Sequence, residues 1–269
     1  MPTLLIFGLG YLGEAVARRA GEAGWSLRAT SRNPDRGLID PTDADALGTA
    51  LSETDALLVT VAPTSEGCPA LATLGPLLAA HRPGWIGYAS STEVYGDRGG
   101  GWVFEDSALN AASIAGARRV AAERAWAPFG AHLFRLPAIY GRGRSTLDRL
   151  RAGTVKRVHK PGQVFNRIHI GDAAAGVMAS LERPNPGRAY NLTDDDPSSM
   201  DTVILAACAR LGIEPPPQTD LDDPTVSEIM RGFYLDSKRV SNARAKAELG
   251  WRQACPTWRE GLERLLSKR

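Results

Sequence analysis

Along the first half of this 269-residue chain, short runs of apolar residues alternate with longer stretches in which apolar positions recur at helical spacing. The short runs predict strands over Thr3–Phe7, Ser26–Thr30, Ala56–Val61, Trp85–Ala89 and Ala131–Leu136. The longer stretches predict helices over Leu12–Ala23, Ala70–His81 and Ile114–Trp126, with a short, weaker one over Asp43–Leu51. Strands rich in leucine and β-branched residues, buried on both faces and separated by helices, imply a parallel sheet with right-handed crossovers. The Gly99–Gly101 run reads as a loop and not as a linker between domains.

After Tyr140 the texture changes. "GRGRS" is a basic, glycine-rich loop, and "HKPGQVFNRIHIGD" reads as a turn, a short extended segment and a helix that begins near Asp172. Asp172 is a candidate cap for Ala173–Leu181, with Gly171 or Asp172 itself as the alternative first helical residue. A strand at Arg188–Asn191, a helix at Met200–Leu211, a proline-rich loop and a last helix at Pro256–Leu266 follow. Neither a repeat nor a low-complexity tract is evident.

The first strand runs straight into "FGLGYLG", three glycines spaced G-x-G-x-x-G. In a dinucleotide fold Gly8 permits the tight turn, Gly10 lets the backbone approach a diphosphate, and Gly13 lets the helix pack close on the strand. The amides of Tyr11 and Leu12 then point at phosphate oxygens from a helix N-terminus. The plainer reading is a tight strand-to-helix turn, but the position between a strand and a helix favours nucleotide binding. At the end of the second strand an NAD site usually carries a carboxylate for the ribose 2′-hydroxyl. This chain reads "RATSRNPDR" there, with no acid before Asp35. Ser31 and Arg32 suit a 2′-phosphate, the arginine as a bidentate partner, so NADP(H) is favoured over NAD(H), with NAD(H) left open.

Composition narrows the classes. The chain is 43% hydrophobic and 23% charged, an ordinary globular balance, and a formal charge of +2 argues for neither nucleic acid nor a membrane surface as partner. Cys68, Cys208 and Cys255 lie far apart and form no C-x-x-C pair, so neither a metal site nor a disulfide framework is expected. Met1 leads directly into a strand-like run without a signal-peptide pattern, and a cytoplasmic protein is the expectation.

With "IGYASSTEVYGD" (residues 86–97), "FRLPAIYGRGR" (134–144), "RIHIGDAA" (167–174) and "DSKRVSNARAKAELGW" (236–251), the chain resembles the extended short-chain dehydrogenase/reductase family, the NAD(P)-dependent epimerase/dehydratase group. The resemblance spans nearly the whole chain and is nearest to a compact, atypical bacterial subgroup. It implies an α/β fold: a Rossmann-type doubly wound parallel sheet with a smaller C-terminal α/β substrate lobe. Residues 1–140 would mainly bind NAD(P), and residues 141–269 would mainly form the substrate lobe, with late elements returning to the Rossmann core. Cofactor contacts are assigned to Gly8, Gly10, Tyr11, Leu12, Gly13, Ser31, Arg32, Ala62, Arg119 and Pro137.

The resemblance also implies a Ser/Thr, a tyrosine acid/base and a lysine in a Y-x-x-x-K frame, the ammonium favouring the ionised phenol. Ser91 matches the Ser/Thr. The frame falls on "AGARRVAAE" (115–123), where Ala115 replaces the tyrosine and Arg119 the lysine. An alanine methyl carries no proton, and arginine stays protonated, so the usual relay cannot run there. Arg119 can still reach a nicotinamide ribose. The one literal Y-x-x-x-K, Tyr234 to Lys238, belongs to the C-terminal landmark and is a decoy. Glu93 falls where sugar-nucleotide dehydratases carry a glutamate, and Thr92 where they carry an aspartate. Ser91, Glu93 and Thr92 are therefore the candidate catalytic residues. Glu93 reads equally as a rim carboxylate bonded to backbone or arginine.

Arg142, Arg144, Lys160, Arg167 and His169 form a basic set suited to an anionic substrate, a sugar-nucleotide diphosphate or a carboxylate. Arg167 and His169 alternate with Ile168 and Ile170, so the isoleucines should face the core. Surface charge is the competing reading for Arg142 and Lys160, and a local structural bond for His169. Two functions remain: an epimerase/dehydratase-like oxidoreductase with a non-standard acid/base, or a catalytically degenerate coenzyme-binding sensor or interaction protein. Small residues in "ASIAGARRVAAERAW" would allow a homodimer through this helix.

Overall fold

The computed structural model describes residues 1–33 and 36–267; Asp35 lies outside them. Side-chain alternation in β1 (Thr3–Phe7) sends Leu4 and Ile6 into one apolar cluster and Leu5 and Phe7 into another. After α1 (Tyr11–Glu22), β2 (Ser26–Ala29) and α2 (Ala44–Ser52), β3 (Ala56–Val59) repeats the division, with Ala56 and Leu58 opposite Leu57 and Val59. Next come α3 (Pro69–Leu78), β4 (Trp85–Ser91), the two-residue β5 (Trp102–Val103), α4 (Ile114–Trp126), β6 (His132–Leu136) and β7 (Ala138–Tyr140). The remainder runs α5 (Thr146–Arg151), β8 (Arg157–His159), β9 (Arg167–His169), α6 (Ile170–Glu182), β10 (Ala189–Asn191) and α7 (Met200–Leu211). It ends with β11 (Gln218–Asp220), α8 (Glu228–Phe233), β12 (Arg239–Val240), α9 (Ala243–Leu249) and α10 (Trp258–Ser267).

Among the described residues, six strands make one parallel sheet in the order β10–β6–β4–β3–β1–β2. The chain steps outward from β1 to β2 and returns to β3 on the other side of β1. The carboxyl ends of β1 and β3 therefore flank the point where strand order reverses, the place where open α/β sheets hold ligands. One face is covered by α1, α6 and α9, the other by α2, α3 and α4. Three short parallel pairs, β5 with β12, β7 with β9 and β8 with β11, tie the second half of the chain together and to the first. No helix among the described residues is long and apolar enough to cross a membrane.

The α/β doubly wound expectation holds, and α4 and α7 run over the residues expected. Differences cluster at strand ends, where polar side chains do specific work. The strands expected to reach Thr30 and Val61 stop at Ala29 and Val59, where their ladders with β1 close at Ile6 and Phe7; just beyond, Thr30 and Thr60 turn their hydroxyls to the Gly8 peptide. By contrast β4 runs on to Ser91, since its pairing with β6 continues to Ser91 opposite Leu136. Helix α3 stops at Leu78 rather than His81: Pro76 interrupts its hydrogen bonding, and the Ala80 and His81 amides both close on the Leu77 carbonyl. Helix α6 begins at Ile170, capped by His169 and not by Asp172.

Behind the sheet's carboxyl edge lies a buried ion pair. Arg135 on β6 grips Glu123 on α4 with Nε and Nη2, at 3.0 and 2.8 Å, and both side chains are almost wholly buried. The Ser90 hydroxyl donates to the same carboxylate at 2.6 Å. The remaining Arg135 donor reaches the Tyr95 hydroxyl and the Glu105 carbonyl, and Tyr95 donates on to Asn191 on β10. Burial works against the guanidinium charge, but the bonds to Glu123 outweigh it and raise the Arg135 pKa. Removing one partner leaves the other charge buried alone. Glu123→Ala should cost about 3–5 kcal/mol in chemical denaturation, whereas Glu123→Leu with Arg135→Met should recover most of that loss.

Candidate functional site

The turn after β1 is held from two sides. The Gly8 N–H donates to Thr30 Oγ1 at 2.9 Å, and the Thr60 hydroxyl donates to the Gly8 carbonyl. Gly8 sits at φ +102°, and a Cβ there would stand 2.6 Å from Val61 Cγ1. A Cβ on Gly13 would meet the Gly8 carbonyl oxygen at 2.7 Å, so this glycine lets α1 lie against the turn. A Cβ on Gly10 would meet nothing within 4 Å. Two of the three glycines are thus required by the protein itself, while the third leaves backbone open to an incoming group. Gly10 caps α1 with no side-chain bond, which leaves the first-turn amides facing that opening.

Two clefts meet here, sharing Gly10 and Thr60. The larger, about 930 Å³, lies over the ends of β1, β2 and β3 and is lined by Gly8, Ser31, Arg32, Asn33 and Ala62 among others. The smaller, about 310 Å³, takes Tyr11, Leu12, Ser91, Arg119, Pro137 and Arg144. The structure therefore brings together eleven of the expected residues along one continuous trough: Gly8, Gly10, Tyr11, Leu12, Ser31, Arg32, Ala62, Ser91, Arg119, Pro137 and Arg144. Gly13 packs beneath it. The donor set suits a dinucleotide: an open glycine, a helix start and a hydroxyl–guanidinium pair at the far end.

Ser91 ends β4 and caps the short turn Thr92–Tyr95; its Oγ accepts the Glu93 N–H at 3.2 Å. That bond occupies a lone pair and leaves the hydroxyl hydrogen to point elsewhere. Arg119 is drawn to the strand by the Ala89 carbonyl at 2.7 Å and the Tyr88 hydroxyl at 3.2 Å. Burial pushes the Tyr88 and Tyr95 phenols up to about 12, so both remain protonated. Thr92 is buried, and Glu93 is half-buried with its carbonyl against Gly116; neither lines the clefts described. Ala115 is exposed on α4.

The basic set divides. Arg142 and Arg144 are exposed on the β7–α5 loop, and of the two Arg144 lines the smaller cleft. Lys160 instead donates to the Tyr234 carbonyl at 2.5 Å. Arg167 is buried and gives Nη1 to the Phe165 and Ser198 carbonyls, each at 3.0 Å, and burial lowers its pKa. Ile168 and Ile170 enter the core as expected, but Arg167 and His169 enter a second packed layer and not an open lobe. His169 Nδ1 accepts the Gly171 N–H, which places the ring proton on Nε2. It lies with Asp172 and Cys255 in a buried trio, where the Asp172 carboxylate takes the Ala254 and Cys255 amides. With Nδ1 so engaged, the imidazole is not set up as a metal ligand.

Three contributors are absent from the expected set. Thr30 and Thr60 hide at the ends of apolar runs that read simply as strand. Arg36 bonds the Leu9 carbonyl at 2.7 Å and Glu14 at 2.8 Å, across the back of the glycine turn. The Thr–Gly–Thr register depends on strand pairing, which local sequence does not display.

No protein-family model matches the chain. It is 27% identical over 293 aligned positions to Protein YeeZ of Escherichia coli, covering 95% of this chain and 97% of that one. A functionally unknown conserved protein from Silicibacter pomeroyi is 39% identical, with 99% of each chain covered and a TM-score of 0.91. The human epimerase family protein SDR39U1, solved with NADPH, matches in fold at a TM-score of 0.80 and 20% identity, over 99% of this chain and 100% of that one.

Gly13→Ala should destabilise the protein by about 1–3 kcal/mol through overpacking, while Gly10→Ala should cost no more than about 1 kcal/mol; urea titrations separate the two. Asp194 gives a pH signature. Burial pushes its carboxyl up to about 8 against an ordinary 3.8. Between those values the unfolded chain has released a proton that the folded one retains, so folding stability contributed by this group falls as pH rises. Asp194→Asn should lose that slope, gaining on the wild type in urea midpoint between pH 5 and pH 8.

Proposed function

Since this chain has the extended short-chain dehydrogenase/reductase fold and belongs to one family with the conserved Silicibacter pomeroyi protein, we propose that it is an NAD(P)-dependent oxidoreductase acting on an anionic small molecule, with a nucleotide-linked sugar as the leading class. The observation that carries this reading is the trough itself. The open Gly10 backbone links a long cleft ending at Ser31 and Arg32 to a short one holding Ser91 and Arg119.

The amides of Tyr11 and Leu12 would hold a diphosphate, and Ser31 with Arg32 would hold a 2′-phosphate, which favours NADP(H). Arg119 would steady the ribose nearest Ser91. When bound, the nicotinamide supplies or accepts a hydride. The protein's own task is then to orient a substrate oxygen and manage its proton. Ser91 suits the first role, because its lone pair is taken by the Glu93 amide and its hydroxyl hydrogen is left to donate. Ala115 has no proton to give, so in this reading the proton would pass between the substrate oxygen and solvent by way of the Ser91 hydroxyl.

Calorimetry with NADPH and NADH should give the tighter complex with NADPH, and Gly10→Ala should abolish both at a stability cost of no more than about 1 kcal/mol. With a panel of nucleotide sugars and small carboxylates, Ser91→Ala should lower turnover by about 10²–10⁴-fold. Normal NADPH affinity without turnover on any panel member, together with activity appearing in Ala115→Tyr/Arg119→Lys, would favour the sensor reading. Absence of heat with either coenzyme would end both.

A further inference from the structure

The loop between β7 and α5 is built onto the glycine turn. A Cβ on Gly141 would stand 2.4 Å from the Tyr11 hydroxyl and 2.5 Å from Ile170 Cγ2, so only glycine allows this approach. The Tyr11 hydroxyl donates to the Arg142 carbonyl at 3.3 Å, and the Arg144 N–H closes the loop on the Gly141 carbonyl at 3.0 Å. Arg144 is thereby laid over the Tyr11 ring, 5.6 Å from its centroid. It is exposed, forms no ion pair among the described residues, and lines the same cleft as Gly10, Tyr11 and Leu12.

We propose that Arg144 is a coenzyme-binding residue that clasps the diphosphate from above, opposite the amides of Tyr11 and Leu12, with Tyr11 as its positioning residue. The inference rests on the dinucleotide reading and reassigns Arg144 from substrate to coenzyme. A helix N-terminus offers partial positive charge, and a diphosphate carries more negative charge than two amides neutralise. An unpaired guanidinium on the same cleft supplies the missing charge in a bidentate form. Stacking on Tyr11 holds the side chain over the turn beforehand, which lowers the ordering cost on binding. The aromatic ring at the first position of the helix thus gains a purpose beyond packing: it carries a cation from the far half of the chain to the phosphate turn.

Three ligands separate the possibilities in calorimetry: NADPH; ADP-ribose, which keeps the diphosphate without nicotinamide; and adenosine 2′,5′-bisphosphate, which lacks the diphosphate. Arg144→Gln should weaken NADPH and ADP-ribose about tenfold or more and leave the bisphosphate within about twofold, with an unchanged melting curve. Tyr11→Phe should bind nearly as wild type, whereas Tyr11→Ala should share part of the Arg144→Gln loss. Wild-type affinity for ADP-ribose in Arg144→Gln, or equal weakening toward all three ligands, overturns the clasp. If the wild type binds the bisphosphate and ADP-ribose but only a substrate-panel affinity falls in Arg144→Gln, the residue serves the substrate and the proposal fails while the dinucleotide reading stands. If the wild type binds none of the three, the dinucleotide reading falls and the clasp with it.

Discussion

One peptide unit, that of Gly8, sets the terms for the rest of the molecule. Its N–H is taken by Thr30 at the end of β2 and its carbonyl by Thr60 at the end of β3. Three neighbouring strands are thereby locked at their carboxyl ends, at the point where strand order reverses. A satisfied peptide at this position is what permits a turn with positive φ, an abrupt helix start and an uncovered Gly10 to coexist. Were the threonines aliphatic, the same turn would leave the Gly8 N–H unpaired beside an apolar sheet, and its carbonyl would keep only the Gly10 N–H.

A second polar assembly does a comparable job deeper in the fold. Glu123, Arg135, Ser90, Tyr95 and Asn191 connect α4, β4, β6 and β10 through side chains that apolar packing alone would not keep in register. Its position directly behind Ser91 means that the floor of the smaller cleft is stiff. The charge is neutralised internally, so the cleft sees little of it. The positive character of the trough comes instead from Arg32, Arg119 and Arg144, each from a different element. This separation of a neutral, rigid floor from a charged rim suits a site that must hold an anion without being distorted by it.

The fold was largely legible because the apolar runs of β1, β3, β4 and β6 are buried on both faces and so stand out without any pairing information. Helices α4 and α7 were bounded by Ser113 and Ser199, whose side chains cap them as local chemistry predicts. What escaped was non-local. The short pairs β7–β9 and β8–β11 join three-residue segments whose pairing partners local sequence does not display, and α9 is a seven-residue helix without a side-chain cap. At the site, glycine spacing revealed the turn. The basic set misled in part: Arg167 and His169 look like ligand residues because they alternate with isoleucines, yet both faces of that strand are covered. Alternation reports two faces; it does not say that either is open.

The sixth strand of the sheet, β10, and the helix that covers α1, α6, both come from late in the chain. During synthesis the ribosome must therefore release residues up to Glu182 before the apolar stripe of α1 finds its partner, and Asn191 before β6 ceases to be an open edge. A nascent chain halted after Tyr140 would leave Val16, Ala20 and Phe134 uncovered. The glycine turn emerges early with both of its threonine braces, but the cleft beside it is complete only when Gly141 and Arg144 have come back against Tyr11.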